Sequence, residues 1–200
     1  MDNLDALVEA VTQRLFLPME ASGRHVHVTK EQAVTLFGHA LTPQRELSQP
    51  GQFLAQERVA VIGPKGEFQN VAVLGPERPE AQVEISLTDG RTLGITPPIK
   101  PSGDVKGSPG ALLVGPVGKV ELEQGVIAAQ RHIHVSPEDA ARLGVVDKQI
   151  VGLKTYTKRP AVLEDVLVRV HKGFRTSVHL DYDEANAIGF EKGDLGRILS

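Results

Sequence analysis

Seven histidines stand in a 200-residue chain, and four of them form two His-x-His pairs, His25-Val-His27 and His132-Ile-His134. On a β-strand, residues i and i+2 point to one face with Cα atoms roughly 6–7 Å apart. Two imidazoles placed so can close on one metal ion at Zn–N distances of about 2.0–2.1 Å. Paired histidines can also simply hydrogen-bond on a half-buried sheet face, but the recurrence of the pair favours ligation. Each pair needs further ligands. His179 alternates out of Ser177-Val-His-Leu-Asp181, opposite Val178 and Leu180, and suits one ion as a third donor. Glu84 alternates out of Gln82-Val-Glu-Ile-Ser86 and can complete the other, although such a carboxylate also reads as a solvated strand residue. His39 follows Gly38 at a helix end and reads as a helix C-terminal charge partner. His171 sits in a turn with Lys172-Gly173, and neither is taken as a ligand. With no cysteine in the chain, disulfides, thiolate metal sites and thiol nucleophiles are excluded, so any zinc must be held by imidazole and carboxylate.

The elements that position these residues repeat. Arg24-His-Val-His-Val-Thr-Lys-Glu-Gln-Ala-Val-Thr-Leu36 aligns without gaps to Arg131-His-Ile-His-Val-Ser-Pro-Glu-Asp-Ala-Ala-Arg-Leu143. Both read as strand, capping hydroxyl and helix. Helices are expected at Lys30–Gly38 behind Thr29 with Gln32 in the capping-box position, at Pro137–Leu143 behind Ser136, and at Asp183–Ile188 before Gly189. Strands are expected at 57–62, 70–74, 81–87, 111–114, 119–121, 151–156, 163–170 and 176–180, where Val and Ile are dense and several segments alternate. Gly63-Pro64-Lys65-Gly66, Asp89-Gly90, Pro101-Ser102-Gly103-Asp104 and Lys172-Gly173 read as turns. The fold class is mainly β: two similar barrels or half-barrels related by internal duplication, with short helices. Asn3–Leu15 reads as an amphipathic helix ended by Pro18, with residues 1–20 as helix and linker before a body over 21–200. That helix either packs on its own domain or docks to a partner.

Composition narrows the functions. Hydrophobic residues make up 40% and charged residues 24%, as in ordinary globular proteins. A net charge of −3, no basic run and 4% aromatic residues argue against nucleic-acid binding. No apolar run approaches the roughly 20 residues of a membrane span. The first 15 residues do not have the pattern of a secretion signal, and the missing disulfides fit a cytoplasmic protein.

Several motifs together resemble the PduL-type phosphate acyltransferases, also called phosphate propanoyltransferases. They are Ser22-Gly-Arg-His-Val-His-Val28, Val73-Leu-Gly-Pro-Glu-Arg78, Gln82-Val-Glu-Ile-Ser86, Ser102-Gly-Asp104, Gln130-Arg-His-Ile-His-Val135 and Val178-His-Leu-Asp-Tyr-Asp-Glu-Ala-Asn186. The resemblance runs from about Gly23 to the C-terminus. It implies two interleaved β-barrels with pseudo-repeat units starting near 24 and 131, and two zinc ions per chain. His25, His27 and Glu84 match the ligands of one ion, which faces the coenzyme A sulfur. His132, His134 and His179 match those of the other. Arg78 matches the arginine that holds phosphate, and with His132 and His134 it forms the implied catalytic set. Arg24, His25, Val26, Lys65 and Asn186 fall where the family contacts coenzyme A. Some members carry an N-terminal peptide that directs them into bacterial microcompartments, a role that residues 3–15 could serve through a shell protein. A homo-oligomer stays open.

The implied reaction is acyl-CoA plus phosphate giving acyl phosphate plus coenzyme A, with propanoyl or acetyl as the acyl group. A metal can polarise a thioester carbonyl and stabilise a thiolate, and a guanidinium fork suits phosphate oxygens. Outside the resemblance, Arg78 equally reads as a surface partner of Glu77 or Glu80. Without cysteine or a Ser-His-Asp motif, direct transfer with no acyl-enzyme is expected. A cupin-like oxygenase with one iron also uses His-x-His, Glu and a distant His, although one such site leaves the second pair unexplained. A dinuclear zinc hydrolase and a microcompartment interaction protein with a structural metal are the remaining alternatives.

Overall fold

The computed structural model describes Val11 and residues 15–199. The expected helix over Asn3–Leu15 lies, apart from Val11 and Leu15, outside the described residues. In chain order the first strands are β1 (Leu17–Ser22), β2 (His25–His27), β3 (Pro43–Glu46), β4 (Phe53–Ile62) and β5 (Glu67–Gly75). Then come β6 (Gln82–Glu84), β7 (Ile99–Lys100), β8 (Ala111–Val114), β9 (Lys119–Leu122) and β10 (Val126–Ala129). The last are β11 (His132–Val135), β12 (Ile150–Tyr156), β13 (Val162–Val170), β14 (Ser177–Asp181) and β15 (Leu195–Leu199). Among the described residues the helices are α1 (Lys30–Phe37), α2 (Leu87–Leu93), α3 (Pro137–Leu143) and α4 (Tyr182–Ile188).

The chain divides into two units, residues 23–130 and residues 1–22 with 131–200. The second is a closed barrel in the order β1-β14-β11-β13-β12-β15, with β15 returning to β1 through Leu17↔Gly196 and Pro18↔Leu195. Its interior is filled by Leu17, Ile133, Leu153, Val166, Val168 and Val178, each at most 1% exposed. Each such side chain, taken out of water, contributes on the order of 1.5–3 kcal/mol.

The first unit is a nine-stranded sheet that runs β7-β10-β6-β2-β5-β4-β8-β9, with β3 on β4. Within it, β10-β6-β2-β5-β4-β8 repeats the barrel order. Parallel β10–β6 matches β1–β14, antiparallel β2–β6 matches β11–β14, and parallel β2–β5 matches β11–β13. Where the barrel closes by a strand pair, this half-barrel has the Val126 N–H donating to the Pro109 carbonyl at 2.9 Å. Its core includes Val26, Val28, Leu36, Val73, Val83 and Leu113, none of them measurably exposed.

The exchange of one strand explains the interleaving. β1 precedes β2 in the chain but pairs in the barrel of β11, while β10 precedes β11 but pairs in the sheet of β2. The registers correspond: Met19↔Val178 in the barrel and Val126↔Val83 in the half-barrel. The segment expected as a linker therefore begins a strand at Leu17, and Pro18 lies within it. The strand expected over 81–87 stops at Glu84, and Asp89-Gly90 is helix rather than turn. Ser86 caps α2 by accepting from the Asp89 N–H, and Asp89 returns a carboxylate to Ser86, a capping box that overrides the turn signal.

Candidate metal centres

In the half-barrel, β2 pairs antiparallel with β6 so that His25 faces Glu84, Val26 faces Val83 and His27 faces Gln82. The two valines enter the core, which turns His25, His27 and Glu84 to the other face. All three are buried, at 7%, 2% and 9% exposure. One donor atom from each lies within 4.8 Å of the others. The His25 and His27 rings stand 5.1 Å apart and nearly perpendicular, at 89°.

Backbone carbonyls fix both rings. His25 Nδ1 lies 2.9 Å from the Gly23 oxygen and His27 Nδ1 lies 3.1 Å from the Leu74 oxygen. A carbonyl only accepts, so Nδ1 carries the proton and the neutral ring keeps its lone pair on Nε2. A metal-ligating histidine is oriented in this way. Glu84 Oε1 sits 3.5 Å from His25 Nε2. Burial alone would raise the Glu84 pKa. The adjoining His25, then His27 and the Ser102 hydroxyl, outweigh it and hold the carboxyl well below its ordinary 4.5. Burial also opposes charging His25, yet Glu84 outweighs it and raises that ring above 6.5. For His27, burial, the neighbouring His25 and the Arg78 charge all act downward and keep the ring neutral.

The barrel repeats the arrangement. β11 pairs antiparallel with β14, placing His132 opposite His179, Ile133 opposite Val178 and His134 opposite Ser177. His132 and His134 are buried and His179 is half-buried. Their donor atoms again lie within 4.8 Å of one another. The His132 and His179 rings stack at 5.1 Å, and His134 lies 4.5 Å from His179. Phe174 stacks on His134 at 4.0 Å and walls one side of the cluster. Ser177 Oγ lies 2.8 Å from His179 Nε2.

Other residues singled out in the sequence fall in varied places. The Arg78 N–H donates to the Val28 carbonyl at 2.9 Å, and its positive charge opposes protonation of both His25 and His27. Its guanidinium thus acts on the half-barrel centre. Arg24 Nη2 and Nε donate to Asp89 at 2.6 and 3.1 Å, and the guanidinium lies 4.0 Å above the Phe68 ring. Val26 is buried in the core, on a strand paired on both sides, with no exposed side chain to offer a ligand. Lys65 is exposed, with its stem against Gly94, where a Cβ would meet Lys65 Cγ at 2.5 Å. Asn186 is exposed on α4. His39 lies 3.7 Å from Glu57, and His171 Nδ1 accepts from the Gly173 N–H, so neither joins a donor cluster.

A clamp common to both centres was not anticipated. Arg24 precedes the first histidine of β2 and bonds Asp89, the third residue of α2. Arg131 precedes the first histidine of β11 and bonds Glu184, the third residue of α4, at 2.7 Å. Each acid also closes the capping box of its helix, and each helix ends on a left-handed glycine, Gly94 (φ 74°) and Gly189 (φ 63°). The arginine therefore ties the His-x-His strand to the helix that follows the third donor. The signal was a second ungapped repeat, residues 82–95 on 177–190, which superposes Glu84 on His179, Ser86 on Asp181, Asp89 on Glu184 and Gly94 on Gly189.

Comparison with known proteins agrees with this architecture. The family model for phosphate propanoyltransferase matches residues 18–191. A phosphate propanoyltransferase of Clostridioides difficile is 49% identical over 206 residues, covering 100% of this chain and 99% of that one. One from Leptotrichia buccalis is 54% identical over 182 residues (90% and 86% of the two chains), and one from Thermotoga maritima is 50% identical over 181 (89% and 86%). A match of this extent, on a mainly β chain with two three-donor clusters, shows that the protein is an acyltransferase and belongs to the phosphate propanoyltransferase family.

Proposed function

We propose that this enzyme converts propanoyl-CoA and phosphate to propanoyl phosphate and coenzyme A, with a divalent metal ion, zinc by its donor chemistry, at each histidine cluster. The observation that carries this is the pair of three-donor clusters on matching strand registers. Imidazole and carboxylate donors suit zinc, and the carbonyl-held Nδ1 atoms of His25 and His27 leave Nε2 to ligate. His25, His27 and Glu84 would hold one ion, and His132, His134 and His179 the other.

When bound, such ions supply Lewis acidity for the thioester carbonyl and the departing thiolate, and they orient phosphate. The chain supplies the rest. Arg78 presents a planar, permanently charged fork to phosphate oxygens. Glu84 stays anionic and His27 neutral, so of the half-barrel donors His25 is the one with a proton to release before use. With neither a cysteine nor a Ser-His-Asp motif in the chain, transfer is direct. A phosphate oxygen attacks the acyl carbon, the C–O bond forms, the C–S bond breaks, and the sulfur leaves with the electron pair and takes a proton from solvent. Arg24, Lys65 and Asn186 offer exposed polar groups for coenzyme A. Acetyl-CoA is the second donor to try, since one methylene is worth only about 1–3 kcal/mol of discrimination. Residues 3–15 are the segment to test for recruitment to a microcompartment shell, and among the described residues no helix is long and apolar enough to cross a membrane.

The test is thiol release from propanoyl-, acetyl- and butyryl-CoA, with and without phosphate, on protein of measured metal content. The proposal expects release that requires phosphate and is fastest with propanoyl-CoA. Release independent of phosphate would make the protein a hydrolase instead.

A further inference from the structure

Gln82 belongs to none of the roles above, yet its side chain is almost wholly buried, at 1% exposure. It lies two residues before Glu84 on β6 and faces His27 across the strand pair. Burying a carboxamide is costly unless its donors and acceptor are satisfied. Here they are. Nε2 donates to Glu84 Oε1 at 2.5 Å and to Ser102 Oγ at 3.0 Å, while Oε1 accepts from the Gly103 N–H at 2.7 Å. Ser102 Oγ in turn donates to the same Glu84 oxygen at 2.7 Å. A backbone N–H can only donate and a carboxylate can only accept, so the amide has one permitted orientation. Gln82, Glu84 and Ser102 thus form a closed ring of hydrogen bonds, with Gly103 joined to it through Gln82. Ser102 and Gly103 belong to a tight turn, Pro101–Asp104, closed by the Asp104 N–H on the Pro101 carbonyl at 2.9 Å.

From this we infer that Gln82 is a positioning residue for the half-barrel metal centre: it locks the Glu84 carboxylate and the 101–104 turn together, so that the hold on the ion depends on that turn. The barrel centre is built differently at this point. At the position equivalent to Gln82 it carries Ser177, which meets His179 directly. The two centres should therefore respond differently to loss of the ring. The inference rests on the proposal that the clusters bind metal, and the experiment separates the two.

Metal-free protein is titrated with zinc against a chromophoric chelator. Wild type is compared with Gln82→Met, which keeps the length and removes all three hydrogen bonds, with Ser102→Ala, and with the double variant. The cobalt-loaded forms are compared by visible absorption. Outer hydrogen-bond partners of a metal ligand are typically worth 10- to 100-fold in affinity. One of the two ions should bind about 10- to 100-fold more weakly in Gln82→Met, with an altered cobalt spectrum, while the other stays within about twofold. The double variant should lose less than the product of the two single losses. Wild-type affinity and an unchanged cobalt spectrum in Gln82→Met would overturn the inference alone. Equal weakening of both ions would overturn it too, as the mark of a loosened fold. Wild type that binds no ion would overturn the metal proposal and this inference with it.

Discussion

The Glu84 centre and the His179 centre are built on the same scaffold and differ at one donor. In each, a buried His-x-His strand pairs antiparallel with the third donor's strand, and an arginine ties the pair to a capped helix. The half-barrel places a carboxylate where the barrel places an imidazole. Around a divalent ion, two imidazoles and a carboxylate leave a charge of +1, and three imidazoles leave +2. With the ions proposed above in place, the more charged centre would suit the more highly charged substrate, phosphate, and the less charged one a single thiolate. The surroundings differ accordingly, with hydrogen bonds from Gln82 and Ser102 on Glu84 and the Phe174 ring against His134. Duplication supplied the frame, and divergence gave the two clusters different donors and different surroundings.

The largest effect that could break this comparison is loss of a donor. His25→Ala and His132→Ala should each reduce turnover roughly a thousandfold, because Lewis acidity is worth several kcal/mol and about 1.4 kcal/mol is tenfold. Each should lose one ion and keep the other. Steady-state rates alongside metal analysis would check this, and survival of activity in either variant would reduce that centre to a structural role.

Next in size is Arg78→Lys. A point charge replaces a bidentate fork, and hydrogen bonds to charged groups are worth about 1.5–3 kcal/mol. Phosphate kcat/KM should fall roughly 10- to 100-fold, with the KM for propanoyl-CoA little changed. Equal losses for both substrates would place Arg78 outside phosphate recognition.

The pH response should separate the centres. In metal-free protein the raised His25 contributes stability that is complete below 6.5 and is lost as pH rises through its folded value. The lowered His27 contributes stability that is present above 6.5 and is lost as pH falls towards its folded value. Glu84 adds a loss in acid, once its carboxyl is forced to protonate. The pair therefore sets a stability maximum near pH 6.5 in metal-free protein, visible in thermal melts. Metal binding requires His25 to release its proton, so affinity at the half-barrel centre should rise with pH through the raised His25 value. An affinity at that centre that does not change with pH over this range would contradict it.

The smallest effect is that of the clamps. Asp89→Asn and Glu184→Gln keep a capping acceptor and remove the ion pair. The Arg24 and Arg131 side chains are 40% and 31% exposed, so solvent screens both pairs. A loss of about 1 kcal/mol, or 2–4 °C in Tm, is expected for each, with the Arg131–Glu184 pair the larger. The reverse order would show that the cation–π contact of Arg24 with Phe68 matters more than burial.

Much of this was legible because strand alternation is a strong signal. His25 with His27, and His132 with His134, had to share a face, and Glu84 and His179 each stood opposite apolar neighbours. The helices behind Thr29 and Ser136 were marked by their caps and lie where expected. α2 was missed because Ile85 and Leu87 extend an apolar run and Asp89-Gly90 mimics a hairpin turn, although Ser86 and Asp89 carried the cap. β1 was missed because Pro18 looked like a stop. Its ladder partners lie more than 150 residues away in the chain, and pairing at that distance leaves no local trace. The ring of Gln82, Glu84 and Ser102 was invisible for the same reason, since its two segments meet only in the folded half-barrel.

The most direct measurement is native mass spectrometry of the purified enzyme, its His25→Ala variant and its His132→Ala variant, read beside phosphate-dependent thiol release from propanoyl-CoA. Two metal ions on the wild type, one on each variant, and activity in the wild type alone is the expected result. A fully active wild type carrying one ion or none would contradict the account.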